Sequence, residues 1–113
     1  MTATVTKTFE FSASHSHGGK VLGHNYILRC TFPAADVSVE EGLSETIEKV
    51  LIQNVHSRDL GESVDFLKNV PPDELSLLKV FWGLITQAVP HAPLRALCLE
   101  RDRKTQWTLS ASG

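Results

Sequence analysis

Apolar and polar residues alternate between Val5 and Phe32, with Val5, Phe9, Phe11 and Ala13 in one phase and Leu22, Tyr26, Leu28 and Phe32 in phase beyond a Gly18-Gly19 pair. A period of two is the pattern of a half-buried strand, and two such runs about Gly-Gly predict a β-hairpin. Glycine accepts the positive φ values of a two-residue type I′ turn, and such a turn pairs residues whose numbers sum to 37: Phe9 with Leu28, Phe11 with Tyr26, Val5 with Phe32. A slip of one residue would set Phe9 and Phe11 against Ile27 and Asn25, so the apolar pattern selects this register.

The spacing lengthens from Val39 to Val55, where Leu43, Ile47, Val50, Leu51 and Val55 recur at three- and four-residue steps with Glu41, Glu45, Glu48 and Lys49 between them. That spacing predicts an amphipathic helix. A second helix is predicted to begin near Asp73, after Pro71-Pro72, and to carry Leu77, Leu78, Phe81, Leu84, Ile85 and Ala88 on one face. It stops at Pro90, which cannot continue the backbone hydrogen-bond ladder. Leu94 to Ser110, just after Pro93, predicts another hairpin, with Leu97 and Leu99 matching Leu109 and Trp107 about the loop Asp102, Arg103, Lys104. The order ββααββ, with no repeat or linker, predicts an α+β fold of one domain over residues 1–113: a four-stranded antiparallel sheet with both helices on one face. Such a sheet keeps two edges and a bare face, which association of copies would cover, so a homo-oligomer is expected, its hairpins pairing edge to edge into a barrel.

Composition changes this picture little. Of 113 residues, 42% are apolar and 21% charged, the balance of a globular chain. A core can form at this length without disulfides. Eleven basic against 13 acidic residues give a net charge of −2, and Arg101-Asp102-Arg103-Lys104 is the longest basic stretch, so a nucleic-acid partner is not expected. No apolar run approaches a membrane span, and Met1-Thr2-Ala3-Thr4 does not open a secretory leader. Cys30 and Cys98 form no C-x-x-C pair, which suits a reducing compartment and predicts a cytoplasmic protein.

Candidate chemistry gathers in the first hairpin, which holds His15, His17 and His24. In the sum-37 register His15 lies opposite Leu22 and diagonal to His24, and diagonal neighbours sit roughly 7–8 Å apart, close enough for two imidazoles to share one metal ion. His17 and His24 are four residues apart along the ladder, roughly 13 Å at about 3.3 Å per residue, so His17 joins them only through a looser turn. The other reading makes these histidines polar residues at the mouth of a hairpin. Cys30 faces the same way as His24 but lies six residues along, too far to join it. Glu100, a carboxylate at the end of the apolar run Leu94 to Leu99, either accepts paired N–H donors from a ligand ring or lies in solvent. His56-Ser57 places a base beside a hydroxyl, but adjacent residues at a helix end rarely face each other, which argues against Ser57 as a nucleophile.

Phe11-Ser12-Ala13-Ser14-His15, Gly23-His24-Asn25-Tyr26, Val55-His56-Ser57-Arg58-Asp59-Leu60 and Leu97-Cys98-Leu99-Glu100, in that order over most of the chain, resemble the 6-pyruvoyl- and 6-carboxy-tetrahydropterin synthases. The resemblance implies the tunnelling fold, in which ββααββ subunits join their sheets into a barrel with sites between subunits, as trimers or hexamers. It implies a pterin such as dihydroneopterin triphosphate as substrate and a zinc ion held by three histidines. Carried over by position, His15 resembles the first zinc ligand, His24 the last, and Glu100 the glutamate that anchors the pterin ring, a fork of donors that suits a carboxylate. Leu22 stands where the middle ligand is expected, with His17 as the nearby substitute. Residues 16 to 21 hold no cysteine in place of the family's catalytic one, and Val55-His56-Ser57 aligns with its Leu-Asp-His segment, leaving His56 as the candidate base.

Two functions follow as expectations. One is a zinc-dependent lyase of the tetrahydropterin synthase type with an incomplete catalytic set. The other is a non-catalytic module that binds a pterin- or purine-like ring through Glu100 and has lost the metal. A structural oligomer is the blander reading beside these two, with no sequence feature of its own.

Overall fold

The period-two segments pair along their full length. In the computed structural model, which describes residues 2–17, 20–34, 40–60, 64–71 and 73–111, β1 (Thr4–His17) and β2 (Lys20–Pro33) run antiparallel from Thr4↔Pro33 to His17↔Lys20, every pair summing to 37. Of residues 15–17, 20 and 21 only the backbone is described, and the Gly18-Gly19 turn lies outside the described residues. β2 pairs next with β4 (Ala96–Arg101), and β4 with β5 (Thr105–Ser110), in the predicted register of Leu97↔Leu109 and Leu99↔Trp107.

The sheet differs from expectation at its other edge. Among the described residues it has five strands, in the order β3-β1-β2-β4-β5, and is mixed, because β3 (Arg58–Asp59) runs parallel to β1 through Ala13↔Arg58 and Ser14↔Asp59. Backbone groups on the outer edge of β1 need partners, and the chain leaving the helix supplies them: Ser57 N–H donates to the Ser12 carbonyl and Leu60 N–H to that of Ser14. Two residues are too few for an alternation to announce a strand.

The first helical run also starts later than predicted. Residues 35–39 lie outside the described residues, and the run opens at α1 (Leu43–Ile47) behind Gly42, whose φ of 77° is left-handed. It continues through a π-helical turn (Glu48–Ile52) into α2 (Gln53–Val55). The buried positions explain the π turn. Leu43, Ile47, Leu51 and Val55 are spaced by four, and in a helix of 3.6 residues per turn that stripe would drift about 40° per step. A wider turn keeps it on the sheet. After a 3-10 turn (Asp65–Leu67), α3 (Glu74–Ala88) is capped by Asp73, whose carboxylate accepts Ser76 N–H at 2.8 Å.

Phe9, Phe11 and Ala13, Tyr26, Leu28, Cys30 and Phe32, and Leu97 and Leu99 share one sheet face and are buried with the two helical stripes, Phe81 among them. Phe11 stacks on Tyr26 at 5.0 Å and meets Phe81 edge-on at 6.5 Å. Among the described residues no helix lies on the opposite face, which carries polar cross-strand pairs such as Thr6 with Thr31 at 2.9 Å. No helix of the described residues is long and apolar enough to cross a membrane.

Phe81→Ala removes the ring at the centre of this core and is expected to destabilise by about 3–5 kcal/mol, read from the denaturant midpoint. Burial pushes the Cys30 thiol up to about 12 from 9.0, so the stability tied to its neutral form is whole below pH 9 and is lost as pH rises through 12. In a Cys98→Ser background, the native chain is therefore expected to leave Cys30 unreactive to a disulfide reagent at pH 8, and denaturant to expose it.

Candidate functional site

Parity along β2 puts His24 on the helix-covered face, two residues beyond Tyr26, where the core gives way to a cavity. The imidazole lies edge-on to Tyr26 at 6.0 Å, and its Nδ1 is 2.6 Å from Asp102 Oδ2. Asp102 belongs to the turn between β4 and β5. Both Asp102 (φ 52°) and Arg103 (φ 57°) are left-handed, and Lys104 N–H closes the turn on the Arg101 carbonyl at 3.0 Å. The carboxylate also accepts Asn25 N–H on Oδ1 at 2.8 Å, and the Asp102 N–H donates to the Asn25 carbonyl at 2.7 Å. These donors, Asn25 first and His24 next, hold the Asp102 carboxyl below its ordinary range.

Around His24 is a cavity of about 340 Å³, lined also by Ser12, Ser14, Gly23, Ser57 and Arg58. Ser57 reaches it because the helix ends at Val55: His56 is extended at φ −63°, ψ 129°, and Ser57 turns left-handed at φ 59°. Position 56 is thus not helical, and His56 is directed by this bend instead of a helical face. Its Nδ1 accepts Ser12 N–H at 3.1 Å, and it lines a separate cleft of about 560 Å³ with Glu10, Asn25, Ile27 and Arg103.

The backbone register sets His15 opposite Leu22 and His17 opposite Lys20, with His24 opposite Ala13, so His15 and His24 are diagonal as expected. The side chains of His15 and His17 lie outside the described residues. Among the described residues no three His, Cys, Asp or Glu side chains converge as a metal cage. Leu22 is 41% exposed at the hairpin position where the family pattern has a histidine. His24 fits a metal by its donor chemistry, since an imidazole whose Nδ1–H is given to a carboxylate carries its lone pair on Nε2.

Glu100 lies on the other side of the sheet. It pairs with Ile27 and so faces the bare side, where Arg29 Nη1 is 3.3 Å from its Oε1. The structure therefore brings His24 together with Ser57 and Arg58 and separates them from Glu100 through the thickness of the sheet, whereas the cleft of His56 opens among Glu10, Ser12, Asn25 and Ile27, on the face that Glu100 shares. On the helix side Glu74 Oε1 approaches Arg101 Nη1 at 2.8 Å without an aligned N–H, a buried carboxylate held by charge.

Sequence reasoning missed Asp102 and Arg29. Both act through the β2–β4 pairing, which joins residues some 70 positions apart and leaves no period in the sequence; the one local signal was the Asp at the first position of the hairpin loop.

No protein-family model matches this sequence, and no curated protein matches it. Among solved structures the chain is similar to the 6-pyruvoyl tetrahydropterin synthase of Caenorhabditis elegans, with a TM-score of 0.82 and 18% identity, over 99% of this chain and 97% of that one. At that identity the similarity establishes the fold, which is the one expected from the motif residues.

Because Arg103 is a non-glycine residue at positive φ, Arg103→Gly is expected to stabilise the chain by about 0.5–1 kcal/mol, strain relief outweighing the added freedom of the unfolded state. A lower denaturant midpoint for that variant would contradict the assignment of strain to this turn.

Proposed function

We propose that this chain is a tetrahydropterin synthase-like protein that holds a pterin-type ring, such as that of dihydroneopterin triphosphate, at Glu100, with zinc held by His24 and His15 and an incomplete catalytic set. The observation that carries the reading is Glu100: on a fold shared with a solved 6-pyruvoyl tetrahydropterin synthase, β4 presents this carboxylate on the sheet face that no helix of the described residues covers. A carboxylate suits the paired ring N–H and amino donors of a pterin. The pairing of β1 with β2 holds to His17↔Lys20, which leaves His17 four ladder positions from His24 and without the looser turn it needs to replace the ligand that Leu22 vacates. Bound at His24 and His15, zinc would act as a Lewis acid on oxygens of the substrate's side chain. His56 is the candidate base, within reach of Ser12 and Asn25 at the neighbouring cleft.

The site is completed between copies. His24 and Glu100 face opposite sides of one sheet, so one ligand meets both only if a second chain supplies the other residue. The β5 edge, where Trp107 is 44% exposed, supports a homo-oligomer, a trimer or hexamer closed into a barrel. A second reading, a pterin- or purine-binding module without metal, is favoured by the exposed Leu22 and by the lack of any cysteine in residues 16 to 21.

Untagged protein purified without chelators is expected to carry zinc near one ion per chain by elemental analysis, and His24→Ala to lose it; protein that stays metal-free after incubation with zinc leaves only the second reading. Glu100→Gln is expected to weaken neopterin binding about tenfold or more while zinc content stays, as loss of a charge-assisted pair predicts. Mixed oligomers of His24→Ala and Glu100→Gln chains are expected to regain part of the lost binding, and a monomer at micromolar concentration would contradict the shared site.

A further inference from the structure

Asp102 holds His24 with more definition than a surface ion pair needs. Its two oxygens serve two different donors: Oδ1 takes the Asn25 N–H at 2.8 Å and Oδ2 the His24 Nδ1 at 2.6 Å. The Asp102 N–H returns to the Asn25 carbonyl at 2.7 Å, so the carboxylate is fixed from its own backbone and from that of its partner. The turn that carries it keeps both central residues left-handed, and that geometry turns Asp102 back onto β2. On the far side the Tyr26 ring meets the imidazole edge-on at 6.0 Å. An ionised carboxylate only accepts hydrogen bonds, so the proton between Oδ2 and Nδ1 belongs to the histidine.

We propose that Asp102 is a positioning residue: it selects the Nδ1–H tautomer of His24, with ring orientation set, and so makes Nε2 the metal-ligating nitrogen. The tautomer rests on this geometry alone, and the metal role rests on the histidine-bound zinc reading above. Asp102 itself touches neither metal nor substrate. A carboxylate behind a ligating imidazole raises its basicity and locks its direction, and loss of such a partner typically lowers metal affinity 10–100-fold. The arrangement also ties the two hairpins together chemically, since a residue of the second sets the tautomer of a residue in the first.

The test is Asp102→Asn in the full-length chain. Asparagine tolerates a left-handed backbone and keeps an oxygen for the Asn25 N–H, but its amide N–H₂ then faces Nδ1 and drives the proton to Nε2. Long-range ¹H–¹⁵N correlation spectra of histidine-labelled, metal-free protein at pH 8 read the tautomer directly, and Zn²⁺ competition against a chromogenic chelator reads affinity. The expected result is Nδ1–H at His24 in the wild type, Nε2–H in the variant, an unchanged denaturant midpoint, and a 10–100-fold fall in Zn²⁺ affinity. Nε2–H at His24 in the wild-type spectrum overturns the proposal, whether or not the variant folds. An unchanged tautomer in a folded variant overturns it as well, and so does a swapped tautomer with unchanged Zn²⁺ affinity. If the tautomer swaps and neither protein binds Zn²⁺, the assignment of Asp102 as the tautomer-setting residue is upheld, its metal role is overturned, and the zinc reading falls with it.

Discussion

Everything in this molecule that bears on function depends on the pairing of β1 with β2. One register, held over fourteen residue pairs, decides that Phe9, Phe11 and Ala13 share a face with Tyr26, Leu28 and Phe32, and therefore on which side the helices must lie. The same register decides that His15 and His24 are diagonal neighbours and that both stand at the end of the apolar stripe. A slip of one residue would turn one strand over against the other, sending either Phe9 and Phe11 or Tyr26, Leu28 and His24 to the opposite face. Core and candidate site are therefore specified by a single choice.

That choice was legible because it is local and periodic. The apolar phases of residues 5–32 exclude a slip of one, and the Gly18-Gly19 pair in the sequence centres the register; Leu97, Leu99, Trp107 and Leu109 about the loop Asp102 to Lys104 did the same for the second hairpin. Asp73 and Pro90 marked the ends of α3. What stayed hidden had no period. The strand at Arg58–Asp59 is two residues long, and the contact between His24 and Asp102 joins positions 78 apart through strands whose mutual register no turn defines. The π turn left a trace in the four-residue spacing of Leu43, Ile47, Leu51 and Val55, which is too long a step for a straight α-helix. Glu100 was identified as a residue of interest, but its neighbour Arg29 was not, since their meeting depends on the same long-range pairing.

The sheet divides the chemistry as well as the core. Imidazole and hydroxyl groups lie around one cavity at its edge, while the carboxylate on β4 looks out from the opposite face. Twisting does not remove this division, because His24 and the residue that Glu100 pairs with, Ile27, are only three positions apart on one strand. For such a chain, assembly is a chemical requirement of any site that uses both groups.

The pairing of Arg29 with Glu100 gives the bare face a property of its own. A donor arriving at that carboxylate meets a shared acceptor, since Arg29 holds one lone pair of Oε1 at 3.3 Å and Oε2 keeps its own. On the proposed reading of Glu100 as a ring anchor, a ligand with two N–H donors in a rigid fork and an acceptor for the guanidinium would satisfy both partners at once. The ion pair would then sort ligands by the shape of their hydrogen-bonding edge, favouring those that complement both of its members.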